Sequence, residues 1–98
     1  MSTSYPTLQR VLEMMLNDQG MDTSSVTFDS IDWTDERAPS NDFVQLDRVE
    51  AALATLSNEE LETLAIGDQE DWPVIMVKFP DEAEMVHIAL ECMFGATA

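Results

Sequence analysis

The middle of the chain carries apolar residues at helical spacing, and this pattern limits the fold more than any other feature. Apolar side chains three or four positions apart lie on one face of a helix, and that face must be buried against another element. The spacing predicts an amphipathic helix over about residues 42–56, for which Ser40 or Asn41 can provide the N-cap. Its apolar face consists of Phe43, Leu46, Val49, Leu53 and Leu56.

A second helix signal follows directly. Ser57 and Glu60 match a capping box, in which the serine hydroxyl accepts from the N3 amide and the glutamate reaches back to the N-cap amide. The motif predicts a helix over 58–66 that ends at Gly67, where a glycine is expected as a left-handed cap. Two helices that meet at Ser57 form a helical hairpin or a corner.

Two further helices are predicted nearer the ends of the chain. Over 5–17, Ser4 is the expected N-cap and Gly20 lies beyond the helix end. Over 82–94, acidic residues in the first turn complement the helix dipole, and the helix is expected to end before Gly95.

Two segments fit more than one structure. Residues 25–36 first alternate like a strand and then shift phase, and residues 74–79 fit a short strand or a helical turn between two prolines. The 98 residues, of which 45% are hydrophobic, suffice for one core. We therefore predict a mainly α fold: a single acidic domain over 1–98, built as a bundle of about four helices with at most two short strands. An α+β fold is the alternative.

The net charge constrains the partners of the protein. Twenty Asp and Glu stand against four Lys and Arg, which gives a formal net charge of −16. Residues 29–71 hold thirteen acids and two bases, a net charge of −11, so the charge is concentrated in the middle of the chain. Such a surface repels nucleic acid and anionic membranes and is attracted to basic surfaces.

The acidic clusters are the candidate binding surface. Glu59 and Glu62 are expected to face outward from the capped helix. Asp29, Asp32 and Glu36 share one face if their segment is helical. Carboxylates three residues apart rise about 4.5 Å along a helix, and successive phosphates of a DNA strand rise about 3.4 Å, so a nucleic-acid-binding groove can accept such a row. The predicted partner-binding residues are Asp29, Asp32, Trp33, Asp35, Glu36, Glu59, Glu62, Asp68, Glu70 and Asp71.

An apolar contact is the alternative to a purely acidic one. The outward face of the helix over 42–56 is weakly charged, which interrupts any continuous acidic ridge. Val44 on that face and Trp33 are expected to contribute an apolar patch, because aromatic anchors carry much of the energy of protein interfaces.

The sequence contains no catalytic or metal-binding motif. His87 has Glu84 and Glu91 at helical spacing, which is typical of a surface contact, and no nucleophile motif or Gly-rich loop accompanies it. The acids over 29–36 lack the alternate spacing and the turning glycine of an EF-hand loop. We therefore predict a protein that is not an enzyme and has no catalytic residue, bound metal or cofactor.

The sequence predicts a cytoplasmic protein. Its one cysteine, Cys92, lies in an apolar helical pattern and fits a reducing compartment. The N-terminal residues lack the basic and apolar regions of a secretory signal, and no apolar run approaches the length of a membrane span.

Three features support a resemblance to a known class of proteins: the size of the chain, its charge and the segment LATLSNEELETL over 53–64. The chain resembles the small acidic proteins that phages and mobile elements use against host defence, among them DNA-mimic inhibitors of restriction enzymes and anti-CRISPR proteins. The resemblance implies a non-enzymatic inhibitor in the host cytoplasm. Its partner would be the basic nucleic-acid-binding channel of a nuclease or surveillance complex, with no direct binding to nucleic acid or membrane.

Two other functions agree with the composition. One is an acidic adaptor or regulatory module that binds a protein surface unrelated to nucleic acid. The other is a domain from a salt-loving organism, in which acidity is a solvent adaptation, although such an adaptation should cover every surface evenly. A homodimer is an alternative for the assembly.

Overall fold

The computed structural model describes residues 5–33 and 44–97, and this part of the chain is built from helices and turns without a strand. The mainly α prediction is therefore confirmed, and the segment over 74–79 belongs to a short helix and the turn after it. The α-helices are α1 (Pro6–Asp18), α2 (Leu46–Leu53), α3 (Asn58–Ile66), α4 (Trp72–Met76) and α5 (Ala83–Thr97), with 3₁₀ turns at Phe28–Ser30 and Gln69–Asp71.

Helix α1 is the centre of the bundle and packs against α2, α3 and α5. Its apolar stripe is excluded from solvent because three helices cover it. Burial of each large apolar side chain contributes about 1.5–3 kcal/mol, so this stripe holds much of the fold together. The buried residues of α1 are Leu8, Val11, Leu12, Met15 and Leu16.

The start of α1 is capped by another helix. The expected N-cap, Ser4, lies outside the described residues, and Tyr5 at the N-cap position makes no side-chain cap bond. Instead, the half-buried carboxylate of Glu50 in α2 accepts from the backbone N–H groups of Thr7 and Leu8, with Oε1 2.9 Å from each nitrogen. These N–H groups have no partner within their own helix, so Glu50 both satisfies them and joins α2 to α1.

Replacement of Glu50 with alanine is expected to lower the free energy of unfolding by about 1–3 kcal/mol, because two partly buried N–H groups lose a charged acceptor. Glu50→Gln keeps an acceptor oxygen and should lose less. Glu62→Ala on the exposed face of α3 is the matched control and should stay within about 0.5 kcal/mol of the wild type. Urea denaturation measures all three, and equal losses for Glu50→Ala and Glu62→Ala would contradict the cap.

Helix α1 ends before Gly20, as predicted, and it ends in a glycine motif. The N–H of Met21 donates to the carbonyl of Leu16 at 2.8 Å, and the N–H of Gly20 donates to that of Asn17 at 3.1 Å. This is a Schellman motif, and it requires the left-handed backbone that Gly20 adopts at φ 75°.

Helix α2 is shorter than the predicted helix over 42–56. Residues 40–43, including the expected caps, lie outside the described residues, and Gln45 is extended because its N–H donates to the sulfur of Met85 in α5. At the other end, the hydroxyl of Thr55 donates to the carbonyl of Ala52 and the chain tightens into a turn. The contact with Met85 at one end and the competing hydrogen bond of the Thr55 side chain at the other therefore make α2 shorter than predicted.

The helix over 58–66 is confirmed, but the role predicted for Gly67 is wrong. Gly67 is extended, with φ −88° and ψ −170°, so no left-handed residue caps α3. A Cβ atom at this position would lie 2.6 Å from the carbonyl oxygen of Thr63. The glycine is needed because the chain passes close to the last turn of the helix.

The prediction that the last helix ends before Gly95 is also wrong. Helix α5 continues through Gly95 to Thr97, whose side chain is buried and whose hydroxyl donates to the carbonyl of Phe94. Packing of the last turn against the core outweighs the cost of about 1 kcal/mol for a glycine inside a helix.

Candidate functional site

The capping box directs the acidic residues of α3. The hydroxyl of Ser57 accepts from the N–H of Glu60 at 3.3 Å, and Glu60 Oε1 accepts from the N–H of Ser57 at 2.9 Å. With the start of α3 fixed in this way, its apolar residues point into the core. Glu59 and Glu62 consequently face solvent, which confirms their predicted orientation.

A capped 3₁₀ turn brings a second group of acids to the surface beside α3. Asp68 accepts from the N–H of Glu70 at 3.1 Å and so initiates the turn. Trp72, which follows the turn, is completely buried and anchors this segment to the core. Asp68, Glu70 and Asp71 are all exposed, and the turn packs against both α3 and α4.

Residues from α3, from α4 and from the 3₁₀ turn before α4 line a cleft of about 330 Å³, which we call the acidic cleft. It brings together Glu59 and Asp71, two of the predicted partner-binding residues that lie in different elements. Its lining residues are Glu59, Glu60, Thr63, Asp71, Val74 and Ile75. Three carboxylates therefore converge on one depression of the surface.

The bases nearest to the acidic cleft in sequence are already paired. The chain has no lysine or arginine over 49–77, and the flanking bases Arg48 and Lys78 bind Glu82 and Glu60, respectively. The hydrogen bond from Lys78, with that from the Ser57 N–H, lowers the pKa of Glu60, so this carboxylate stays ionised at neutral pH. The cleft keeps a net negative charge, because one ammonium faces three carboxylates.

The described part of the second predicted acidic segment is not one continuous helix. The helical turn at Phe28–Ser30 stops at Ile31, which is extended with φ −86° and ψ 132°. Asp29 therefore lies in the turn and the exposed Asp32 beyond it, so they cannot share the face of one continuous helix. Asp35 and Glu36 lie outside the described residues.

Trp33 belongs to an aromatic stack rather than to a free apolar patch. Its ring stacks on Phe28 with centroids 5.5 Å apart, and Phe28 stacks on Tyr5 at 5.8 Å. The indole N–H donates to the carbonyl of Phe28, and the ring is half-buried. The predicted patch of Trp33 and Val44 is wrong at Val44, which is 9% exposed and belongs to the core. Val44 lies before α2, where the backbone enters the bundle, and its side chain therefore packs into the core.

Two exposed apolar residues, one in α4 and one directly after it, were missed by sequence reasoning. Val74 and Val77 are 71% and 72% exposed, whereas Ile75 and Met76 between them are buried. The signal that could have indicated them is the run of four apolar residues, because a single helical turn cannot bury all of its faces. Val77 also lines a second depression, on the other side of α4 from the acidic cleft.

His87 makes the predicted surface contact. Its Nε2 lies 2.6 Å from Glu91 Oε1, and its ring meets the Trp72 ring edge-on with centroids 5.2 Å apart. Among the residues with described positions, no three His, Cys, Asp or Glu side chains form a group that could hold a metal ion.

No helix within 5–33 or 44–97 combines the length and apolar character that a membrane span requires. The chain was compared with protein-family models, with curated proteins and with solved structures, and none of the three comparisons gave a match.

Proposed function

We propose that the protein is a non-enzymatic inhibitor that binds the basic nucleic-acid-binding surface of another protein. The observation that carries this proposal is the acidic cleft, where three carboxylates from α3 and from the turn before α4 converge. Of the two bases nearest in sequence, Arg48 pairs with Glu82 outside the cleft and Lys78 pairs with Glu60, so the cleft keeps an excess of negative charge. Asp68, Glu70 and Glu62 extend the exposed acidic surface along the same elements.

The spacing of these carboxylates supports nucleic-acid mimicry. Glu59 and Glu62 are both exposed on α3, and a separation of three residues corresponds to a rise of about 4.5 Å. Phosphates of one DNA strand follow each other at about 3.4 Å. Lysine and arginine side chains are long and flexible enough to accommodate the difference. A groove that binds a phosphate backbone can therefore bind this row of carboxylates.

The resemblance to small acidic anti-defence proteins gives the class of partner. Under this proposal, the partner is a nuclease or a surveillance complex of host defence, and the protein acts in the host cytoplasm by competing with nucleic acid. An acidic surface favours such an encounter twice: it accelerates association with a basic channel, and it prevents binding of the inhibitor to nucleic acid itself.

Affinity capture from a bacterial lysate tests this proposal. The immobilised protein is expected to retain nucleic-acid-binding proteins and to release them as the salt concentration rises, because interactions between exposed charges are screened. Mass spectrometry identifies the eluted proteins. Retention of proteins without a basic surface, at unchanged strength in high salt, would contradict the proposal and favour an adaptor role.

A further inference from the structure

A second depression lies on the side of α4 opposite to the acidic cleft. It has a volume of about 480 Å³ and runs between α4 and the first turns of α5. We call it the apolar groove, and its apolar lining consists of Pro73, Met76, Val77, Pro80, Ala83 and Ile88. Its polar lining is supplied by Glu84 and His87.

Helix α4 presents different residues to the two depressions. Val74 and Ile75 line the acidic cleft, whereas Pro73 and Met76 line the apolar groove together with Val77, which follows the helix directly. The two exposed valines thus lie in α4 and immediately after it, between an acidic and an apolar depression. Val77 continues the apolar lining of the groove, and contiguous exposed apolar patches are typical of surfaces that bind a protein partner.

Charge determines which partner fits this groove. Glu84 lines it, Asp81 is exposed on the connection to α5, and Lys78 is engaged by Glu60. A second copy of the chain is a poor occupant, because each copy carries a net charge of −16 and the copies repel one another. A cationic segment is attracted by the same field.

We propose that the apolar groove binds a cationic amphipathic segment of the partner protein. A bulky aliphatic or aromatic side chain of that segment enters the groove and covers Val77, while neighbouring Lys or Arg side chains pair with Glu84 in the groove and with the exposed Asp81 before α5. This inference rests on the proposed function in one respect: it assigns an apolar anchor to the same basic partner.

Synthetic peptides provide the probe. The first peptide carries leucine and lysine at helical spacing; in the second, serine replaces leucine; in the third, glutamate replaces lysine. Titrations followed by amide chemical shifts should locate the leucine–lysine peptide at α4 and the start of α5. The serine–lysine peptide should bind at least about tenfold more weakly because it lacks the buried side chain. The leucine–glutamate peptide should not bind measurably, since it meets like charges.

Two variants of the protein complete the test. Val77→Ser should weaken the binding of the leucine–lysine peptide by about fivefold or more. Ile66→Ser removes an exposed aliphatic side chain of α3 that lines neither depression, and it should change the affinity less than about twofold. Both positions are exposed, so unchanged melting temperatures verify that the fold is retained.

Equal affinities for the serine–lysine and leucine–lysine peptides, with no effect of Val77→Ser, would overturn the groove proposal and leave acidic docking intact. Equal affinities for the leucine–glutamate and leucine–lysine peptides would also overturn it, because the groove would then be a site for apolar molecules of any charge. Peptide binding at α4 without capture of any nucleic-acid-binding protein would sustain the groove and reject the proposed function.

Discussion

Replacement of Trp72 with alanine is expected to lower the free energy of unfolding by about 3–5 kcal/mol. The side chain is completely buried, stacks on Phe94 with centroids 5.5 Å apart and meets His87 edge-on. Its loss leaves a cavity where α4 joins α5, and the turn with Asp68, Glu70 and Asp71 loses its anchor. Chemical denaturation measures the stability directly.

The phenylalanine variant separates packing from polarity at the same position. Trp72 Nε1 is buried without a hydrogen-bond partner in the described part of the chain. Trp72→Phe removes this unsatisfied N–H, which recovers about 1–3 kcal/mol. This gain offsets part of the stability that is lost because the phenylalanine ring is smaller. We expect Trp72→Phe to cost clearly less than Trp72→Ala. Equal costs would contradict the packing role of the ring, because phenylalanine still fills most of the space that alanine leaves empty.

Reversal of two charges in the acidic cleft should weaken binding to the captured partner by about a hundredfold. In Glu59→Lys/Asp71→Lys, each lysine faces the basic surface, and like charges brought together at an interface cost several kcal/mol. Both residues are exposed, so their replacement leaves the core unchanged. Surface plasmon resonance at fixed ionic strength measures the affinity, and circular dichroism verifies the helical content.

A matched control separates local contact from overall charge. Asp18→Lys/Asp47→Lys changes the net charge by the same amount at exposed positions of α1 and α2. Neither position lines the acidic cleft, and exposed charges outside a contact are largely screened at physiological salt, so we expect a loss of less than about threefold. Similar losses for the two double variants would mean that the total charge, rather than the acidic cleft, directs binding.

Local signals in the sequence predicted much of the helical structure. The capping box at Ser57 and Glu60 defines α3 within the chain itself, and its bounds agree with the prediction. The cap of α1 could not be predicted in this way, because its acceptor, Glu50, comes from a residue 43 positions away. The extended start before α2 likewise depends on a contact with Met85 in another helix. Such interactions exist only after the helices have packed.

The candidate site was predicted only in part, because it too depends on contacts that form when the helices pack. Helical periodicity indicated that Glu59 and Glu62 face outward, and both are exposed. The meeting of Glu59 with Asp71 depends on how the chain turns after Gly67 and on the burial of Trp72, which no local pattern specifies. The apolar run over 74–77 was consistent with a strand, so the exposure of Val74 and Val77 became evident only from the position of α4 on the bundle.

Competition between the protein and nucleic acid for the captured partner is the most direct test of the central claim. Increasing concentrations of duplex or guide-paired nucleic acid are added to the complex, and the bound protein is quantified by fluorescence anisotropy. If the acidic cleft occupies the nucleic-acid-binding surface, nucleic acid displaces the protein completely, and the apparent Kd of the protein rises in proportion to the nucleic acid added. A stable ternary complex, with the Kd of the protein unchanged at saturating nucleic acid, would contradict the account.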